Sequence, residues 1–148
     1  MNRSSGRQLL IWVLRFDAAA LSVAWLAIFL SRDFMNQSND LLGLDPLPAT
    51  PIVDYLTRSL AVMYASRGLF VWLASLDVER YRPLVLLIGW SNVLLGAMLF
   101  GIDLYAGMPW WWKLGEGPGV ILIGLVIVGL CQRFVRDNDG RIGIDESG

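Results

Sequence analysis

The residues best able to do chemistry in this chain are polar and charged groups set inside hydrophobic runs. Arg67 stands in Tyr64-Ala65-Ser66-Arg67-Gly68-Leu69, Asp17 in Leu14-Arg15-Phe16-Asp17-Ala18, and Asn92 in Trp90-Ser91-Asn92-Val93. A guanidinium at the centre of a bilayer costs about 2.5–3.5 kcal/mol to insert, so each such group requires a partner or a wet cavity. Arg67 falls nine residues before the expected inner end of its span, roughly 14 Å deep at helical rise. Asp17 falls at about 10 Å from the same face by the same rise, so depth permits an Asp17 and Arg67 pair. Asn92, at a similar level, would satisfy remaining guanidinium donors, and Tyr64 lies one turn from Arg67.

A second set sits toward the opposite face. Arg58 and Asp103 fall at comparable depths, and Asp54 precedes Arg58 by one helical turn, so either carboxylate is a candidate partner. Arg58 and Arg67 are nine positions apart, about half a turn around a helix, and cannot share one narrow seam. The helix carrying them is therefore expected to meet polar partners on two sides, unless Arg58 snorkels outward. Arg15 is expected to snorkel to the interface. The clusters have two readings: a clamp between helices, or a polar path for a solute. Asp17 and Asp103 lie at opposite faces, too far apart for a coupled acid–base dyad, and no span carries the run of carboxylates a proton relay needs.

Other chemistry is excluded by residue type. The chain has no histidine, which removes His-ligated haem, ordinary zinc sites and Ser-His or Cys-His nucleophiles. Cys131 is the lone cysteine, so no disulfide or CxxC pair forms within one chain. Asp137-Asn138-Asp139-Gly140 resembles part of an EF-hand loop. Aligned on Gly140, however, the first ligand position is Val135, so residues 136–148 read as a flexible cytoplasmic tail. No cofactor or metal site is expected, and a net charge of −1 does not suggest nucleic acid.

The elements that must hold these groups are spans. The 148 residues are 55% hydrophobic and 17% charged, a balance that belongs in a membrane. About 20 apolar residues cross a hydrocarbon core as a helix, and four segments qualify: 9–30, 51–76, 83–105 and 114–133. Arg3 and Arg7 before the first run resemble the start of a secretory signal. That run is too long and lacks small residues at a cleavage site, so it reads as a retained helix. Arg3, Arg7, Arg80, Arg82, Arg133, Arg136 and Arg141 fall on one side of the spans, against Arg32 and Lys113 on the other. Both termini are therefore expected in the cytoplasm. The fold class expected is all-α: a four-helix transmembrane bundle over residues 1–135, N-in and C-in.

The connections carry signals too. Residues 31–50 should form an ordered exported loop, stiffened by Pro46, Pro48 and Pro51, with Thr50 as N-cap and Pro51 at the first helical position. Trp110, Trp111 and Trp112 beside Lys113 read as an interfacial belt or as a stacking platform for a ligand. Gly115, Gly117, Pro118 and Gly119 would then open the fourth helix, as a tight turn or as an anion-binding helix start. Small residues four apart, Ala18/Ser22, Ala20/Ala24, Ala61/Ala65 and Ala97/Gly101, would admit close helix approach.

Three stretches carry a resemblance: Tyr55-Leu56-Thr57-Arg58-Ser59-Leu60, Asp77-Val78-Glu79-Arg80-Tyr81-Arg82-Pro83-Leu84, and Gly101-Ile102-Asp103-Leu104-Tyr105-Ala106-Gly107-Met108-Pro109-Trp110-Trp111-Trp112. Together they resemble a group of uncharacterised small bacterial four-span inner-membrane proteins, over about half of the chain. The span layout alone is similar to that of DoxX-like membrane proteins. The resemblance implies a bacterial inner-membrane, multi-pass location and brings no activity with it. The expectation for function is a non-enzymatic structural or accessory component that contacts lipid and packs with another membrane protein or a copy of itself. The alternatives are a small carrier or channel whose path includes Asp17, Arg67 and Asn92, and a lipid- or quinone-interacting subunit using the tryptophans and Lys113.

Overall fold

A computed structural model describes the backbone of residues 3–145 and the side chains of residues 5–133. Six helical segments follow one another: α1 Arg3–Ser22, α2 Ala24–Phe29, α3 Arg32–Leu41, α4 Pro51–Leu76, α5 Arg82–Tyr105 and α6 Trp110–Asp145. The fold is all-α, with no strand among the described residues. Among the described residues four stretches are long and apolar enough to cross a membrane: Ser5–Phe29, Pro51–Leu76, Arg82–Tyr105 and Trp110–Arg133. By length and composition the chain is a multi-pass membrane protein with the four helices of the expected bundle. The EF-hand-like stretch and the tail to which it belongs lie outside the described side chains.

The chain divides into two compact units. One comprises Met1–Asp17 and Val71–Gly148, the other Ala18–Phe70. In the first unit, α5 and α6 form a hairpin joined by residues 106–109. Its start is set by Pro83 in the first turn of α5, and its link turns at Gly107, where φ is +69°, a value that glycine adopts freely. Four glycines at seven-residue spacing make the seam, Gly89 and Gly96 on α5, Gly117 and Gly124 on α6. A Cβ at Gly96 would lie 2.6 Å from the Gly117 carbonyl oxygen, and one at Gly124 would lie 2.6 Å from that of Gly89. The backbones touch there, which maximises dispersion contact where no hydrophobic effect operates between helices. Leu14, Val71, Ala74, Val85 and Ile127 complete this unit's core.

α6 begins at Trp110, not at Leu114 as the Gly-Pro cluster suggested. The Pro109 carbonyl accepts from Trp112 and Lys113 N–H groups, each at 3.1 Å, and thereby starts the helix. Gly115 to Gly119 lie inside it, with Pro118 in the interior. Neither a tight turn nor an exposed anion-binding helix start exists there. Gly117 is tolerated inside the helix because α5 needs its missing side chain: a Cβ there would lie 2.6 Å from Phe100 Cβ.

In the second unit, α1 tightens at Val23 into the short α2, a single apolar run with one i→i−3 bond from Leu26 N–H to Val23 O at 2.9 Å. The far part of α1 packs on α4 through small residues. Ala18, Ala61 and Ala65 are buried, and a Cβ at Gly68 would meet Ser22 Oγ at 2.9 Å. The other two small pairs are not used this way, because Ala20, Ala97 and Gly101 are exposed.

The expected loop contains a helix that the sequence reading missed. Ser31 is extended and its Oγ accepts from Phe34 N–H at 3.3 Å, Asp33 complements the dipole, and α3 follows. It closes in a Schellman motif: Leu44 N–H bonds Asn39 O at 2.9 Å, Gly43 N–H bonds Asp40 O at 3.0 Å, and Gly43 takes φ +66°. The proline-rich return is then tied to α3. Asn36 Oδ1 accepts from Leu47 N–H at 3.1 Å, and the Arg32 guanidinium donates to Pro48 O at 3.0 Å. The loop is ordered, as its composition suggested, and α4 starts at Pro51 as expected.

Candidate functional site

The first unit brings two of the sequence-selected polar residues together. Asn92 Nδ2 donates to Asp17 Oδ2 at 3.2 Å, joining α1 to α5 across 75 positions of sequence. Only 7% of Asp17 and 3% of Asn92 is exposed. Helical register explains the placement. Asn92 shares the buried α5 face with Val85, Ile88, Gly89 and Gly96, and Asp17 continues the α1 face of Leu10 and Leu14. A carboxylate in such surroundings is costly without donors, and the amide supplies one in a fixed geometry.

Arg67 and Tyr64 belong to the second unit, both half-buried on α4. Arg58, also there, donates its guanidinium to the Ile28 carbonyl near the end of α2. Asp54 does not serve Arg58: its carboxylate pairs with Arg32 at 3.0 Å. The reason is that the final carbonyls of α2 have no intrahelical donor, so a guanidinium arriving from α4 satisfies one of them. Arg32, at the start of α3, meanwhile reaches both Asp54 and Pro48 O and knits loop to span.

Asp103 sits in the first unit on the seam face of α5, seven residues beyond Gly96. It is 5% exposed, and its Oδ2 has no hydrogen-bond partner among the described residues. Arg15 is half-buried, and its guanidinium carbon lies 5.7 Å from the Trp72 ring centroid, a cation–π contact. Toward the start of α6, Trp111 and Trp112 meet edge to face at 5.6 Å, and Trp112 Nε1 donates to Glu116 one turn on. Trp110 is widely exposed and Lys113 half-buried, so the four residues form the first turn of a helix. Trp111 and Trp112 cross at 68°, so these two rings do not stack on one another, and the Trp110 ring lies open.

Two structurally central features went unread at the sequence level. Glycines at seven-residue spacing on two consecutive spans signal the α5–α6 seam, which the small pairs at four-residue spacing do not mark. The sequence Ser31-Arg32-Asp33 followed by Gly43 signals a capped helix between spans. Among the described residues no three His, Cys, Asp or Glu side chains gather as a metal site. Comparison with protein-family models, with characterised proteins and with solved structures finds no match to this chain.

Proposed function

We propose that this chain is a non-enzymatic component of the bacterial inner membrane, with both termini cytoplasmic, that works by packing against lipid and against another membrane protein or a copy of itself. The observation that carries this reading is the Asn92 to Asp17 hydrogen bond. Its two groups are more than nine-tenths buried and meet one another across a helix interface. A solute path needs such groups to face water; a clamp needs them to face one another. The wide exposure of Leu87, Trp90, Leu94, Met98 and Ile102 along one side of α5 supports the same reading, because it leaves a continuous apolar surface for lipid or a neighbour.

Thiol accessibility tests it. In a Cys131→Ser background, Asn92→Cys in native membranes should resist a membrane-impermeant maleimide as fully as a cysteine in the lipid-buried middle of α5. Rapid labelling of position 92 would favour a carrier or channel and overturn the proposal. Copurification in mild detergent should then return a second membrane protein or a defined oligomer.

A further inference from the structure

The first unit has a second feature outside the polar clamp. Trp12, Val13 and Phe16 of α1 and Leu122, Ile123 and Val126 of α6 line an open groove of about 420 Å³. Every lining residue is apolar or aromatic. Trp12, Phe16 and Leu122 are each more than 60% exposed, so the groove opens outward. It has a polar end. Arg133 lies seven positions after Val126, which on a helix returns it to the same face about 10 Å further along, and it is exposed. On α1, Leu9 and Ser5 extend the groove face in the matching direction, and both are exposed.

A partner helix, about 10–12 Å across with its side chains, would rest on the aromatic rims and leave the groove empty. A flexible hydrocarbon chain fills it. The cation at one end then favours a headgroup of net negative charge: Arg presents a planar fork of donors to the phosphate diester, and no choline cation offsets the attraction there. Basic sites beside transmembrane helices at the cytoplasmic face recruit anionic lipid in the same way. The charge count of the sequence assigns the Arg133 end to that face.

We propose that the α1–α6 groove seats one acyl chain of an anionic phospholipid, with Arg133 meeting its headgroup phosphate. The proposal builds on the membrane reading above, but its failure would leave the Asn92 accessibility result unchanged. Native mass spectrometry of the full chain, delipidated and then offered equal phosphatidylglycerol and phosphatidylcholine, is the direct test. One bound lipid is expected, with phosphatidylglycerol favoured by about fivefold, the gain one Arg makes against anionic lipid. Arg133→Gln should bring that ratio to near one while a lipid is still retained, and Ile123→Trp, which fills the groove, should remove both lipids.

Should Ile123→Trp fail to fold, fluorescence of the wild-type chain keeps the question open to measurement. Phosphatidylglycerol brominated on its acyl chain should quench the Trp12 contribution, obtained by difference from Trp12→Phe, more strongly than brominated phosphatidylcholine does. Equal retention of the two lipids by the wild-type chain would overturn the proposal. So would unchanged retention by a folded Ile123→Trp variant, or a disulfide-linked dimer formed through Phe16→Cys in the Cys131→Ser background, which would give the groove to a second copy.

Discussion

The α5–α6 hairpin and the segment from α2 to the start of α4 are held together by opposite means. In the hairpin, glycines let two backbones touch, and the contact is apolar along Gly89, Gly96, Gly117 and Gly124. In the other region, Ser31, Asn36, Arg32 and Arg58 each reach a backbone group, and an ion pair joins Arg32 to Asp54. The difference teaches which solvent each region is built for. Lipid offers helices no hydrophobic drive to associate, so shape must do it. At the membrane edge, unpaired carbonyls and amides need partners, and side chains supply them.

The hairpin is where that contrast breaks most readily. Gly124→Ala should destabilise by about 1–3 kcal/mol or more, read as a fall in the thermal midpoint in detergent, because the added methyl collides with the Gly89 carbonyl. Gly129→Ala, five residues along the same helix with open space at its Cβ, should be neutral or slightly stabilising. Equal effects at the two positions would remove close approach as the explanation. Asn92→Leu comes next. Removing the donor from Asp17 should cost about 0.6–1.7 kcal/mol on the scale of hydrogen bonds between transmembrane helices, seen in the same melt. Smallest in global effect is Ser31→Ala. Loss of the cap should cost about 1 kcal/mol locally, visible as faster hydrogen exchange at the Phe34 amide with little change in the midpoint of the spans.

How far these features were legible depends on which residues wrote them. The four spans stand out because a bilayer demands about 20 consecutive apolar residues, and the start of α4 at Pro51 follows from proline and its preceding Thr50. The start of α6 at Trp110 is hidden in the sequence because Gly115, Gly117 and Pro118 break helices in water. In this hairpin, Gly117 is part of the contact surface, while Gly115 is exposed on the same helix. Depth arithmetic placed Asp17 and Asn92 at one level, and the hydrogen bond between them agrees with that level. It could not choose the partner of Arg58, since a main-chain carbonyl exists at every position and leaves no mark in the sequence.

The four-residue link at 106–109 has a consequence for biogenesis. α5 and α6 emerge from the ribosome consecutively, and their glycines meet at short separation along the chain, so they suit lateral release from a translocon as one preassembled hairpin. A contact between neighbours in sequence closes quickly. The glycine seam of the hairpin needs no residue of α1 or α4 to close, whereas the Asn92 to Asp17 bond must wait for α1.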